Sequence, residues 1–180
     1  MLAEWNSRAE GTALEPILRL EQPGDEACIH RLTELAFKPT SFSDGTEALI
    51  IDNLRREGDL TLSIVATLAG EVVGHVAFSP VTINGERGQW FGLGPVSVRP
   101  DLQGKGIGAA LINEGMSILR SERAGGCALI GDPRYYRRFG FRSNGKLTYK
   151  SLPTSVVQVL PFKDEVPEGV LAFSPAFERL

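Results

Sequence analysis

Cysteine is scarce in this chain, with Cys28 and Cys127 the only two among 180 residues. Two such residues, far apart, suggest neither a disulfide framework nor a zinc site, so no metal is expected. They fit a reducing, cytoplasmic setting. Positive charge is not in excess: 19 Lys and Arg against 22 Asp and Glu leave a net charge of −3. The chain therefore offers no basic field for a nucleic-acid backbone. Long apolar runs are missing too, none approaching the roughly 18 residues that a membrane helix needs. Met1-Leu-Ala-Glu-Trp-Asn-Ser-Arg8 carries an acid and no apolar stretch, so residues 1–15 read as a flexible leader rather than a secretion signal. Repeats, low-complexity segments and interdomain linkers are also absent. The expectation is one domain over residues 1–180, its core spanning about 17–177, with no membrane or nucleic-acid partner.

Glycine, by contrast, is concentrated at one place. Gln103-Gly104-Lys105-Gly106-Ile107-Gly108 follows the apolar run Gly94-Pro-Val-Ser-Val-Arg-Pro100 and precedes Ala109-Ala-Leu-Ile-Asn-Glu-Gly-Met-Ser-Ile-Leu119. This reads as a strand, a glycine-rich loop and a helix that starts at the loop. Such a loop leaves backbone N–H groups pointing at one spot, and the helix dipole adds partial positive charge there. A phosphate or pyrophosphate suits that arrangement. A Walker loop is excluded because Lys105 is followed by Gly106 rather than Ser or Thr, and the spacing does not match a dinucleotide fingerprint. A third pattern, Q/R-x-x-G-x-G/A, is filled by Gln103, Gly106 and Gly108. A glycine turn without a ligand is the plain alternative.

The rest of the chain supplies a framework. Ile17–Leu20 reads as a short strand, and Asp25 as the N-cap of a helix with Ile29, Leu32, Leu35 and Ala36 at helical spacing. Lys38–Gly45 is a loop, and Thr46–Glu57 a second helix ending at Gly58. Leu62–Leu68 and Val72–Ser79 form a hairpin around Ala69-Gly70. Asn84-Gly85 turns into the strand ending at Arg99, and the helix after the glycine loop runs to Ala124. Cys127–Ile130 is a buried strand, Pro133–Phe139 a short helix, and Phe141–Tyr149 and Val170–Phe173 supply late strands around a Pro-containing stretch. The order β-α-α-β-β-β-α-β-α-β-β predicts an α/β fold with a mixed sheet and helices on both faces.

Order and loop together resemble the GNAT superfamily of N-acetyltransferases, whose coenzyme A pyrophosphate loop is Q/R-x-x-G-x-G/A. A second motif, Gly131-Asp-Pro-Arg-Tyr-Tyr-Arg-Arg-Phe-Gly-Phe141, places Tyr136 with Gly140 and Phe141 in that family's Y-x-x-x-G-F frame. With Val73-Gly-His-Val-Ala-Phe-Ser-Pro80 and Pro175-Ala-Phe177, the string looks like the YhbS-like bacterial N-acetyltransferases. The resemblance covers roughly Leu18 to Phe177. It implies a mostly antiparallel sheet of about seven strands, with the fourth and fifth splayed, and acetyl-CoA or another acyl-CoA as cosubstrate. Backbone groups of Val96, Ser97 and Val98 would pair with the pantetheine arm, and Gln103, Gly104, Lys105, Gly106, Ile107 and Gly108 would hold the pyrophosphate.

Acyl transfer to an amine requires a neutral amine, a stabilised oxyanion and a proton for the leaving thiolate. The resemblance makes Tyr136 the general-acid candidate; packing with Phe139 and Phe141 is its plain alternative. Tyr135 reads as packing or a cofactor wall. The base is harder to assign. Many GNAT enzymes use a glutamate on the fourth strand, but Gln89–Arg99 contains no carboxylate. His75 is one substitute, against a structural role, and Asp132 another, against capping the helix at Pro133. Solvent is a third. Cys127, among Ala128, Leu129 and Ile130, reads as an inert thiol. Arg134, Arg137 and Arg138 form a solvated helix face or meet coenzyme phosphates, and Trp90 and Phe91 line an acceptor pocket or pack in the core.

The leading expectation is direct acetyl transfer to a small-molecule primary amine in a ternary complex, the enzyme pairing as a homodimer. The alternatives are a protein N-acetyltransferase and a non-catalytic acyl-CoA-binding or sensing module. An enzyme acting on aminoacyl-tRNA would carry a basic surface, which the acidic balance opposes.

Overall fold

Two tight turns organise the centre of the sheet. In this computed structural model, which describes residues 15–38, 45–164 and 166–178, Ala69 and Gly70 both adopt positive φ (51° and 85°) between β2 (Leu62–Leu68) and β3 (Glu71–Ile83). Asn84 and Gly85 do the same (55° and 80°) between β3 and β4 (Glu86–Val98). Positive φ at both positions matches the twist that two-residue hairpins require, and Gly70, Asn84 and Gly85 are residue types that tolerate it. β1 (Ile17–Leu20) adds outside β2, while β5 (Gly126–Ile130) joins β4 in parallel. β7 (Val157–Pro161) closes the far edge, giving the order β1-β2-β3-β4-β5-β7. β8 (Gly169–Ala172) pairs with the end of β3, and β6 (Leu147–Thr148) with β8.

Helices cover both faces. α1 (Glu26–Phe37) and α2 (Glu47–Glu57) bury Ile29, Ile51 and Leu54 on one side, and α2 ends as expected at Gly58 in the left-handed conformation. On the other face lie α3 (Ile107–Ser121) and α4 (Pro133–Tyr136). The main core sits beneath α3, where Leu111, Ile112, Met116 and Leu119 meet Ile64, Val76, Phe78 and Leu129.

The architecture departs from the sequence expectation in four places. The sheet has eight strands rather than about seven, because Val157–Pro161 within the Pro-containing stretch is itself a strand. Its last residue is proline, tolerated because β7 is an edge strand. Phe141–Tyr149 is not a continuous strand; only the Arg142–Val159 bridge and Leu147–Thr148 pair. Asp25 does not cap α1: its carboxylate accepts from Arg19 Nη1 at 2.6 Å, Arg19 Nη2 at 3.0 Å and Gln22 N at 2.8 Å. α3 stops at Ser121, and Arg123 then turns the chain at a φ of 63°. The leader expected over residues 1–15 falls almost wholly on residues 1–14, outside the described residues.

Helix α3 lies close to β3 because Gly115 has no side chain. A Cβ built there would collide with the edge of the Phe78 ring at Cε2 and Cζ, and that ring is itself fully buried. Replacing Gly115 by Ala gains roughly 0.5–1 kcal/mol of helix propensity, but overpacking a tight core costs about 1–3 kcal/mol. Gly115→Ala is therefore expected to destabilise the protein, read as a lower midpoint in urea unfolding.

Candidate active site

β4 and β5 are hydrogen-bonded only where Trp90, Phe91 and Gly92 lie beside Gly126, Cys127 and Ala128. Beyond that rung they part, as the expected splay requires. Leu129 and Ile130 stay with β7, while β4 bends away through an extra residue: Val76 opposes Val96, but Phe78 opposes Leu93. Gly94 occupies this bulge at a φ of 131°. Strand parity fixes what the freed edge displays. Arg99 N–H donates to Val73 O at 2.9 Å, so Ser97, two residues earlier, also turns its backbone towards β3. Val96 and Val98 therefore present N–H and C=O to the opening. The side chain of Gln103 agrees, its Nε2 donating to Val98 O at 3.1 Å. Ser97 stays out of this edge, and its hydroxyl donates to Thr33 Oγ1 of α1 at 2.9 Å.

The glycine loop continues the same edge. Gln103, Gly104, Lys105 and Gly106 are exposed, with Gly104 and Gly106 at φ of 75° and 89°. The first helical bond of α3 runs from Ala110 N to Gly106 O at 2.9 Å, which leaves the N–H groups of Ile107, Gly108 and Ala109 without intrahelical partners. Ile107 sends its side chain into the core, so only its backbone faces out. A Cβ on Gly108 would stand 3.5 Å from Val98 Cγ2 and 3.9 Å from Val96 Cγ1. Loop, helix start and open strand thus form one surface, with Lys105 adding positive charge.

α4 brings adjacent tyrosines to the opposite wall. The Tyr135 hydroxyl lies 3.7 Å from the place of a Gly108 Cβ, so its side chain reaches across to the first turn of α3. Arg138 covers the Tyr135 ring, its guanidinium carbon 4.6 Å from the centroid, and donates from Nε to Tyr135 O at 3.1 Å. Tyr136 turns inward, edge-on to Phe141 with ring centroids 6.1 Å apart, and a Cβ on Gly131 would approach its ring to 2.5 Å. Burial, with Tyr135 adding, pushes the Tyr136 pKa up to about 12. The packing and proton-donor readings are thus compatible: the ring is packed, and the hydroxyl holds its proton through neutral pH.

Both titratable substitutes for a base already have partners in the structure. His75, expected beside the cleft, lies on the α1 and α2 side of β3 and is fully buried. Its Nε2 stands 2.8 Å from Ser63 Oγ, and the Ser63 hydroxyl bonds to Glu21. Arg55 Nε in turn donates to Glu21 at 2.9 Å. Burial, with the nearby Arg55 charge, lowers the His75 pKa to about 3, so it stays neutral. Asp132 takes the capping role, accepting from Arg134 N at 2.9 Å and from the Arg134 guanidinium, which holds its carboxyl below the usual range. Cys127 is buried, and burial raises its thiol to about 12. Phe91 packs in the core under α3, while Trp90 covers Gly125 and Gly126 on the other face. Among the described residues, no group of three His, Cys, Asp or Glu could hold a metal, and no helix is long and apolar enough to cross a membrane.

Sequence reasoning missed Gln158. This side chain is almost fully buried, and its Nε2 donates to Gly131 O at 3.0 Å, fixing the junction from which α4 departs. It belongs to β7, the strand hidden by neighbouring prolines; Val157-Gln-Val-Leu160 was the available signal.

An open strand edge running into an anion-binding helix start is the geometry of a transferase for acyl groups carried on a phosphorylated pantetheine arm. The sequence profile of the acetyltransferase (GNAT) family matches residues 29–141, and the chain belongs to this family of N-acetyltransferases. It is 38% identical to the uncharacterized N-acetyltransferase YhbS of Escherichia coli K12 over 123 residues, 68% of each chain. A GNAT family acetyltransferase of Brucella melitensis, solved in complex with acetyl-CoA, superposes with a TM-score of 0.82 at 45% identity, over 92% of this chain and 99% of that one. E. coli YhbS, solved with CoA, superposes with a TM-score of 0.84 at 34% identity, over 93% and 94%.

The buried histidine has a measurable consequence. Its pKa falls from 6.5 to about 3 on folding, so between those values the unfolded chain binds the extra proton. Stability should fall as pH drops through that window, His75 contributing a slope approaching about 1.4 kcal/mol per pH unit. In urea unfolding at pH 7 and pH 5, His75→Gln should lose less stability on acidification than wild type. An equal loss would show that His75 is not buried neutral.

Proposed function

We propose that the protein transfers the acetyl group of acetyl-CoA directly to the primary amine of a small molecule, both substrates being bound together. The observation that carries the reading is the continuous surface from the Val96 and Val98 backbone to the N–H groups of Gly104–Gly108. The pyrophosphate rests on the loop, and the two amides of the pantetheine arm pair with the open strand edge. Binding of acetyl-CoA and CoA by the Brucella and E. coli relatives supports the same donor. The thioester then lies between β4 and α4. The amine nitrogen attacks the thioester carbonyl, a C–N bond forms, and the oxyanion meets Val96 N–H, because Pro95 before it has none. As the C–S bond breaks, Tyr136 donates towards sulfur. With His75 buried and Asp132 engaged by Arg134, solvent takes the proton that frees the amine.

One domain, with its core over about residues 17–177, serves the reaction, and two unpaired cysteines suit the cytoplasm. The net charge of −3 favours a cationic amine over a nucleic acid; a homodimer is proposed on the habit of the family. The absence of a carboxylate from Gln89–Arg99 favours one second reading, an acyl-CoA sensor without turnover. Thiol release in an amine screen separates the two, and acetylation of a protein terminus instead would replace the small acceptor.

Titration calorimetry with acetyl-CoA tests the donor site. Gly106→Glu places an anion in the loop and should abolish binding that wild type shows; binding retained would remove the pyrophosphate from this loop. Tyr136→Phe should lower kcat by about 10²-fold or more while leaving acetyl-CoA affinity unchanged. With a pKa of about 12, Tyr136 should impose no alkaline fall in kcat below about pH 10; an unchanged kcat in the variant would leave it as packing alone.

A further inference from the structure

We propose that Phe173 sets the length of the acyl group the protein accepts, by closing the sheet where β4 and β5 part; the inference rests on the donor reading above. Gly92 is the last β4 residue beside β5. A Cβ on it would stand 2.7 and 2.8 Å from Phe173 Cε1 and Cδ1, and 3.1 Å from Val81 Cγ1. Glycine is what lets the ring lie directly on the strand. The ring is held from two sides, by Tyr149 perpendicular to it at 5.2 Å between centroids and by Phe177 tilted at 5.1 Å.

The floor of this place is unfinished as packing. Ser79 pairs across the ladder with Gly92, so it turns its side chain to the same face. Its hydroxyl is buried and has no hydrogen-bond partner among the described residues. Buried polar groups are normally satisfied, and this unpartnered hydroxyl lies one strand over from Gly92, on the face that Phe173 covers.

The direction of the donor follows from the cleft. With pyrophosphate at the glycine loop and the arm passing Val98 and then Val96, the thioester points towards Leu93 and Gly92. An acetyl group stops short of the ring. Further methylenes run into Phe173, whose neighbours leave it little room to yield.

Affinity alone tests this, so no acceptor need be known. Calorimetry with acetyl-, butyryl- and hexanoyl-CoA should show wild type preferring acetyl-CoA. In Phe173→Ala the butyryl-to-acetyl affinity ratio should rise at least tenfold, since each methylene buried in the opened space contributes about fourfold. Phe173→Leu, a milder change that guards against misfolding, should lie between. An unchanged ratio in a folded variant that still binds acetyl-CoA overturns the inference. Wild type failing to bind any acyl-CoA would instead overturn the donor reading.

Discussion

Backbone groups withdrawn from a sheet have to find partners, and the site grows from that constraint. When β4 leaves β5 after Gly92, the N–H and C=O groups of Val96 and Val98 lose the neighbours that parity would have given them. An unmade hydrogen bond at a buried group costs about 1–3 kcal/mol, so such an edge persists only where solvent or a ligand reaches it. One lone pair is already answered, by Gln103 on Val98 O. α3 packs against β3 at Gly115 and meets the open strand at Gly108. The loop that starts α3 is thereby delivered to the end of the same edge. Removing the splay would remove the reason for the rest.

The two faces of the sheet divide the work. Under α3 and α4 the core is apolar apart from Tyr136 and Gln158, and it fixes the cleft wall. Under α1 and α2 a polar chain runs from Asp52 through Arg55, Glu21 and Ser63 to His75. That chain satisfies groups which would be costly to bury alone, tying β1, β2, β3 and α2 together. His75 belongs to this scaffold. Its place on the far side of β3 puts it on the face opposite α3 and α4.

Most of the framework was legible because its signals are local. Gly58, Ala69-Gly70 and Asn84-Gly85 announce their turns through backbone conformations that few residues adopt, and the glycine loop announces the helix start. Asp25 was misread because Ser, Thr, Asp and Asn before a helix look alike, whether they cap it or pair elsewhere; Arg19 decided the matter from six residues away. β7 was hidden because Pro153 and Pro161 mask a strand whose pairing with β5 is long-range. The parity that excludes Ser97 from the cleft, and the burial of His75, are properties of register and layer. No window of the sequence carries them. Phe173 was invisible as a neighbour of Gly92 for the same reason.

The absence of a carboxylate from Gln89–Arg99 is compatible with the proton inventory of the proposed reaction. A neutral amine and a thioester become an amide and a thiol, so one proton moves from nitrogen to sulfur and none is consumed. Tyr136, raised to about 12, would be a poor source of a free proton for a thiolate whose acid has a pKa near 8.5. In the proposed reaction it would stay protonated, bonding to sulfur as charge develops there and passing on the proton that nitrogen releases. Only the first deprotonation, of the ammonium in solution, then needs an outside base. Water supplies that before the amine binds. In the proposed reaction, the lack of acids from Gln89 to Val98 would also keep negative charge away from an oxyanion at Val96, where a nearby carboxylate would oppose the transition state.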